Sequence, residues 1–216
     1  MTSILVVDDH DLVRMGIVRM LDDVPGYHVA GDAKSGEEAI SLARKLKPDV
    51  VLMDVKMPGI GGLEATRKML AANPAVKIIA VTACDDTLYP ARLLQAGAVG
   101  YVTKGTGFGD ITTAIDTVVR GRQYMSSVIA QQLALRNVAG DRDSSPFERL
   151  SQRELETAMM IAGGRRAQDI ATTFSVSPKT VNTYRYRIFD KLCIHSDVEL
   201  ALLAVKYNLL DPEAVV

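Results

Sequence analysis

Three carboxylates, a hydroxyl and an ammonium stand where a parallel sheet would gather them. Asp8 and Asp9 follow the apolar run Ile4–Val7, and Asp54 follows Val50–Met53. Thr82 closes Lys77–Val81, and Lys104 lies just past Val99–Val102. Carboxylates clustered with water suit a hard cation such as Mg²⁺. Such a cation offsets the repulsion between an anionic nucleophile and an incoming phosphoryl group. A carboxylate can accept that group covalently, and a hydroxyl and an ammonium can hold its oxygens. Taken singly, each residue has a plainer reading. An Asp after a strand is usually a turn or cap residue, a Thr at a strand end follows β-propensity, and a Lys is mostly solvated. Five such residues at successive strand ends make the plainer readings improbable together.

Short apolar runs alternate with segments of helical period. Strands are expected at Ile4–Val7, His28–Ala33, Val50–Met53, Lys77–Val81 and Val99–Val102. Helices are expected at Leu12–Asp23, Glu37–Lys45, Gly62–Ala72, Thr87–Ala96 and Phe108–Arg120. Ser35-Gly-Glu-Glu38 has the spacing of a capping box, and Gly97 falls where a helix should stop. Repeated βα units with near-continuous Val/Ile strands imply a five-stranded parallel sheet covered on both faces. In such sheets ligands bind beyond the carboxyl ends of the strands.

After Gly121 the pattern changes. Gln131–Arg136 reads as a short helix, and Gly140-Asp-Arg-Asp-Ser-Ser-Pro146 reads as the core of a linker. The chain therefore divides into a domain at 1–121, a linker at 122–148 and an all-helical domain at 149–216. In the last of these, Ser151-Gln-Arg-Glu154 is a second capping box, and Gly163-Gly164 ends its helix. Ala167–Phe174 forms the next helix. Ser177 caps a third, with Pro178 in the favoured first position. A fourth runs from about Asp197 to Tyr207.

Composition narrows the class. Hydrophobic residues are 48% and charged residues 24% of 216, an ordinary globular balance. No apolar run reaches the roughly 20 residues of a membrane span, and the N-terminus lacks the features of a signal peptide. Cys84 and Cys193 suggest neither a disulfide framework nor a metal site. A cytoplasmic protein is expected. The net charge of −1 conceals an asymmetry: carboxylates gather at Asp8, Asp9 and Asp54, whereas Lys179, Arg185, Arg187 and Lys191 face only Asp190 in their segment. The split suggests two domains with different partners.

Ile170-Ala-Thr-Thr-Phe-Ser-Val-Ser-Pro-Lys-Thr-Val181 has helix-turn-helix logic. Ile170, Ala171, Phe174, Val176 and Val181 suit a small core between two helices. Val181, Tyr184, Ile188 and Leu192 mark one buried face of the second helix. Asn182, Thr183 and Tyr186 fall on another face. That face can enter a major groove, where Asn pairs with an adenine edge and Thr touches a thymine methyl. Lys179, Arg185, Arg187 and Lys191 surround it and suit phosphate contacts. An ordinary solvated amphipathic helix is the plainer alternative, and the turn and cap weigh against it. On the last helix Leu200, Leu203 and Tyr207 share a stripe that suits either a dimer surface or the domain's own core.

The motifs reach a family. Leu5-Val-Val-Asp-Asp-His10, Asp54-Val-Lys-Met-Pro-Gly59, Thr82-Ala83 and Tyr101-Val-Thr-Lys104 resemble those of response-regulator receiver domains over about Met1 to Gly121. The resemblance implies a doubly wound, flavodoxin-like (βα)₅ fold and phosphotransfer from a sensor histidine kinase to Asp54. It implies Mg²⁺ on Asp9, Asp54 and the backbone carbonyl of Lys56, with Asp8 acting mainly through water. Thr82 and Lys104 would grip the phosphoryl group, and Tyr101 would be the rotating switch aromatic. Gly105 departs from the proline common after the lysine.

Leu150-Ser-Gln-Arg-Glu154, Gly163, Ile170-Ala171, Val176-Ser177, Thr180-Val181 and Lys191-Leu192 resemble the LuxR/FixJ-type DNA-binding domain, over roughly Arg149 to Tyr207. Asn182 and Tyr184 depart from its usual Lys and His. Together the halves resemble two-component response regulators of the NarL/FixJ family, and Thr180-Val-Asn-Thr-Tyr-Arg-Tyr-Arg187 resembles the GacA/UvrY branch. The expectation is a non-enzymatic transcriptional regulator, homodimeric when phosphorylated, that binds promoter DNA and activates small regulatory RNA genes. Two other classes are weaker. An Asp-nucleophile phosphatase would carry an acid two residues after Asp54, where Lys56 stands. An RNA-binding module would present stacking aromatics on a sheet, and this helical domain offers none.

Overall fold

The computed structural model describes residues 1–82, 89–105, 107–131 and 145–210. The chain divides into two compact units, Met1–Ala139 and Gly140–Val216. Residues 132–144 of the expected linker, and with them all but Gln131 of the expected helix at Gln131–Arg136, lie outside the described residues, while residues 127–131 are helical.

In the first unit strands and helices alternate. The strands are β1 (Thr2–Val7), β2 (Tyr27–Ala33), β3 (Val50–Asp54), β4 (Lys77–Thr82) and β5 (Gly100–Thr103). Between and after them lie α1 (Asp11–Asp22), α2 (Gly36–Leu46), α3 (Gly61–Ala72), α4 (Tyr89–Gln95) and α5 (Phe108–Val119). The expected start of α4 at Thr87 lies outside the described residues. With a sixth strand at Tyr124–Met125 (β6), the sheet is parallel in the order β2-β1-β3-β4-β5-β6. The sixth strand pairs Gly100 with Tyr124 and Tyr101 with Met125. It corrects the expectation of five strands. Two residues carry no alternation, so no sequence period marked it.

Alternate strand residues feed two cores. Ile4, Val6, Val50, Leu52, Ile79, Val81 and Val102 pack with Ile17 and Leu21 of α1 and Ile111, Ile115 and Val118 of α5. Leu5, Val7, Val51, Met53 and Ile78 pack with Ala39 of α2 and with Ala65 and Met69 of α3. Covering both faces explains why these strands read as continuous apolar runs rather than alternating ones. Ser35 caps α2, accepting from Glu38 N–H at 3.2 Å. The Glu38 carboxylate, however, accepts from Lys34 N–H at 2.9 Å rather than from Ser35. Gly97, at φ 102°, ends the turn after α4.

The second unit opens with a 3₁₀ turn (Pro146–Arg149), followed by α6 (Gln152–Ala162), α7 (Ala167–Phe174), α8 (Pro178–Leu192) and α9 (Asp197–Lys206). The capping box is complete on α6: Ser151 Oγ accepts from Glu154 N–H, and Glu154 accepts from Ser151 N–H at 2.7 Å. Gly164, at φ 77°, turns the chain out of that helix. Phe147, Leu150, Leu155, Ile170, Phe174, Val181, Ile188 and Leu200 fill the core. Leu200 is fully buried there, which settles its half of the Leu200–Leu203–Tyr207 alternative as core, and Phe147 packs edge-on against Tyr207 at 6.3 Å. The exposed apolar residues of α9 are Val198 and Leu202. No helix among the described residues is long and apolar enough to cross a membrane.

Candidate phosphoacceptor site and DNA-binding face

β1 and β3 are adjacent, with Val7 in register with Met53, so their polar ends emerge side by side. Asp8, Asp9, His10 and Asp54 each present a ligand atom, all within 4.8 Å of one another. Asp8 and Asp54 are almost fully buried. His10 Nδ1 lies 2.9 Å from Asp9 Oδ1, and His10 N–H donates to Asp8 Oδ1 at 2.9 Å. The sequence reading did not weigh His10, and its adjacency to the aspartates was the available signal. Lys56 lies in the turn after β3, where its N–H donates to Asp54 Oδ1 at 3.4 Å.

β4 and β5 bring the other two groups. Thr82 is in register with Thr103, and Lys104 N–H donates to the Thr82 carbonyl at 2.6 Å. This places the Lys104 ammonium 2.9 Å from Asp54 Oδ2 and 2.8 Å from Asp8 Oδ2. Thr82 is buried at the strand end, and Tyr101 is fully buried on β5. All five residues read as a constellation from sequence therefore lie at one edge of the sheet.

The electrostatics follow from burial. Burial pushes the Asp54 carboxyl up to about 7, and Asp8 and Asp9 add to the rise, while Lys104 opposes it. Burial works to lower the Lys104 ammonium, but Asp54 and Asp8 outweigh it and hold the group above its ordinary value. A carboxylate in this position is stabilised by any further cation that reaches the cluster.

Glycine at 62 is what lets α3 begin here. A Cβ on Gly62 would stand 2.0 Å from the Asp54 carbonyl oxygen. The helix start and the end of β3 are thus in backbone contact, a constraint the sequence pattern did not reveal.

In the second unit, Ser177 Oγ accepts from Thr180 N–H at 3.1 Å and starts α8 behind Pro178. Ser175, at φ 55°, closes α7. Val181, Ile188 and Leu192 are buried, while Lys179, Asn182, Thr183, Tyr186 and Arg187 are exposed on α8. Tyr186 is 73% exposed, so it contributes nothing to the core. The Thr183 hydroxyl donates to the Lys179 carbonyl at 3.0 Å.

Two of the expected phosphate contacts are engaged within the unit. Arg185 pairs with Asp197 at the start of α9 and lies 5.6 Å from the Phe189 ring centre. The Lys191 ammonium lies 2.6 Å from buried Glu154. Arg165 and Arg166, which the sequence reading passed over, are exposed and line a concavity of about 380 Å³ with Asn182 and Arg185. Arg166 is the N-cap residue of α7 and gives it no side-chain cap. The signal for them was a doubled arginine immediately before a helix.

Residues 4–116 match the model of the response regulator receiver domain, and residues 148–204 match that of bacterial regulatory proteins of the luxR family. The chain is 59% identical to the response regulator GacA of Pseudomonas syringae pv. syringae, over 99% of this chain and all of the relative. It is 47% identical to the response regulator UvrY of Escherichia coli K12, over all of this chain and 99% of the relative. Among solved structures, RcsB of Salmonella enterica serovar Typhimurium bound to promoter P1flhDC shares the fold. Its TM-score is 0.70 at 23% identity, covering 95% of this chain and 98% of that one. The chain belongs to the two-component response regulators that join a receiver domain to a luxR-type helix-turn-helix DNA-binding domain.

Proposed function

We propose that Asp54 accepts a phosphoryl group from a sensor histidine kinase and that this controls promoter binding by α8. The observation that carries the reading is the buried Asp54 carboxylate sharing one ammonium, that of Lys104, with Asp8. In this reading residues 1–121 are the receiver, 122–148 the linker and 149–216 the DNA-binding domain.

The clustered hard carboxylates of Asp8, Asp9 and Asp54 fit Mg²⁺; Asp9, Asp54 and the carbonyl of Lys56 would hold it, with Asp8 acting through water. A bound Mg²⁺ supplies charge neutralisation for the approach of two anions. The Asp54 carboxylate oxygen forms the new P–O bond as the P–N bond to the donor histidine breaks. The departing imidazole nitrogen keeps the electron pair and takes up a proton. Lys104 exchanges its carboxylate partners for a phosphoryl oxygen, and the Thr82 hydroxyl donates to another. Tyr101 is the aromatic whose packing on β5 responds. The protein turns over no substrate other than its own acyl phosphate.

On DNA, Asn182, Thr183 and Tyr186 read base edges, and Lys179 and Arg187 contact phosphates. Arg165 and Arg166 extend the phosphate contact beside the recognition helix. Arg185 and Lys191 join it to the extent that phosphates compete with Asp197 and Glu154. The regulator works in the cytoplasm and activates small regulatory RNA genes, as its resemblance to the GacA/UvrY branch implies. Phosphorylation favours a homodimer on an inverted repeat, because two half-sites give more affinity than one.

Acetyl phosphate with Mg²⁺ should add one phosphoryl group, which Asp54→Asn abolishes. Light scattering and operator titration should then show a higher mass and tighter binding to an inverted repeat than to a half-site. Labelling that persists in Asp54→Asn removes the assignment. Unchanged mass and affinity after stoichiometric phosphorylation removes the switch.

A further inference from the structure

At the end of the sheet opposite Asp54, the C-terminal turns of α2 and α3 part over the strand starts. A cavity of about 370 Å³ lies there, with Ile40, Ala43, Met69 and Val76 among its walls and Arg44 and Lys47 beside it. Met69 and Val76, at its base, belong to the core of that face, while exposed Ala72, Asn73 and Pro74 form its rim. Arg44 and Lys47 are exposed and form no ion pair among the described residues, and no carboxylate lines the cavity.

The size and lining suit a small molecule: about 300–1,000 Å³, mostly apolar, with a few placed polar groups. The charge selects among small molecules. Two cations beside an apolar wall disfavour a cationic occupant and match an anionic head on an apolar body. The helix dipoles are not the reason for such a match. Helix C-termini attract cations and mildly repel anions, so the dipole explains why basic residues sit on the last turn of α2 but not why a cavity opens beside them. A nucleotide or phosphate would want converging backbone N–H groups, and the two helices offer their carbonyl ends instead.

We propose that this cavity binds a small amphipathic monoanion, a medium-chain or aryl carboxylate, with its body against Met69 and Val76 and its head between Arg44 and Lys47. The site is separate from the phosphoacceptor and does not depend on the proposed role of Asp54.

Octanoate titrated into ¹⁵N-labelled full-length protein should give saturable amide shifts centred on Ile40, Ala43, Arg44, Met69 and Val76. Octanamide, with the same body and no charge, should bind at least tenfold more weakly. Arg44→Gln/Lys47→Gln, at exposed positions, should keep the dispersed spectrum of the folded protein and weaken octanoate at least tenfold. Shifts that fail to saturate or spread over the surface overturn the site. Equal binding of octanoate and octanamide, or unchanged binding by the double variant, overturns the anionic specificity and with it the proposal.

Discussion

Lys104 Nζ stands 2.9 Å from Asp54 Oδ2, joining residues fifty positions apart, and the same ammonium lies 2.8 Å from Asp8 Oδ2. It neutralises a carboxylate pair that would otherwise repel at close range. Lys104→Met should therefore have two opposite effects. Mg²⁺ should bind several-fold more tightly, because no ammonium competes for the carboxylates. Phosphorylation by acetyl phosphate should slow at least tenfold, because the phosphoryl oxygens lose a cation. Calorimetric Mg²⁺ titration and phosphorylation time courses read the two arms separately. Weaker Mg²⁺ binding in the variant contradicts the competition.

The buried Asp54 carboxyl makes a prediction about pH. Its folded value is raised to about 7 from an ordinary 3.8, chiefly by burial. A carboxyl raised on folding destabilises the folded state when ionised. That penalty is full above about pH 7 and is relieved as pH falls toward 3.8, because the folded protein takes the proton first. Asp54→Asn should remove this dependence and, at pH 8 without divalent cations, stabilise the receiver by about 1–3 kcal/mol. Mg²⁺ should raise the wild-type melting temperature and leave that of Asp54→Asn nearly unchanged. Thermal melts across pH 5–8 check both statements.

The site's side chains were legible because parallel strands end together, so polar residues closing apolar runs must share an edge. Asp8, Asp9, Asp54, Thr82 and Lys104 all behave this way. What the sequence hid was tertiary. β6 is too short to show a period. Leu200, Leu203 and Tyr207 share a helical stripe, but periodicity cannot say which of them the domain itself covers. Lys191 looked like a free cation because Glu154, its partner, lies 37 residues away. Gly62 looked like an ordinary helix start because the atom it approaches belongs to the preceding strand.

Gly62→Ala tests that approach. The new Cβ would meet backbone, which cannot rotate away as a side chain can. The start of α3 or the end of β3 must shift, at a cost of about 1–3 kcal/mol. Phosphorylation should fall more than stability, since Asp54 moves with the strand end. Gly16, with open space around its Cβ position, is the control: Gly16→Ala in α1 should be neutral or stabilising by up to about 1 kcal/mol. Chemical denaturation of both variants gives the comparison, and equal stability for the two removes the claim.

Lys191 separates a structural from a DNA-contacting role. Burial pushes Glu154 up, but Lys191 and the N–H of Ser151 outweigh it and hold the carboxyl below its ordinary 4.5. A carboxyl lowered on folding contributes stability that is present above pH 4.5 and is lost as pH falls through the folded value. Lys191→Ala leaves Glu154 buried without its cation. The lysine is itself 38% exposed, so solvent screening reduces the cost to about 1–2 kcal/mol. The acid-induced loss of stability below pH 4.5 should flatten in the variant. An unchanged acid limb with weakened DNA binding at every sequence would instead make Lys191 a phosphate contact.

Asn182 and Arg187 share the exposed face of α8 but should fail differently on DNA. If Asn182 pairs with an adenine edge, Asn182→Ala costs about 1–3 kcal/mol on the specific operator and little on a scrambled duplex. If Arg187 neutralises a phosphate, Arg187→Ala weakens both duplexes alike and lowers the slope of log affinity against log salt by about one. Arg166→Ala should follow Arg187, because it stands outside the groove-facing set and beside the uncapped start of α7. Binding over a salt series, on operator and scrambled duplexes, resolves the three. Equal losses on both duplexes for Asn182→Ala refute base reading, since only a phosphate contact is blind to sequence. An unchanged salt slope for Arg166→Ala removes that arginine from the interface and leaves the concavity it lines without a role on DNA.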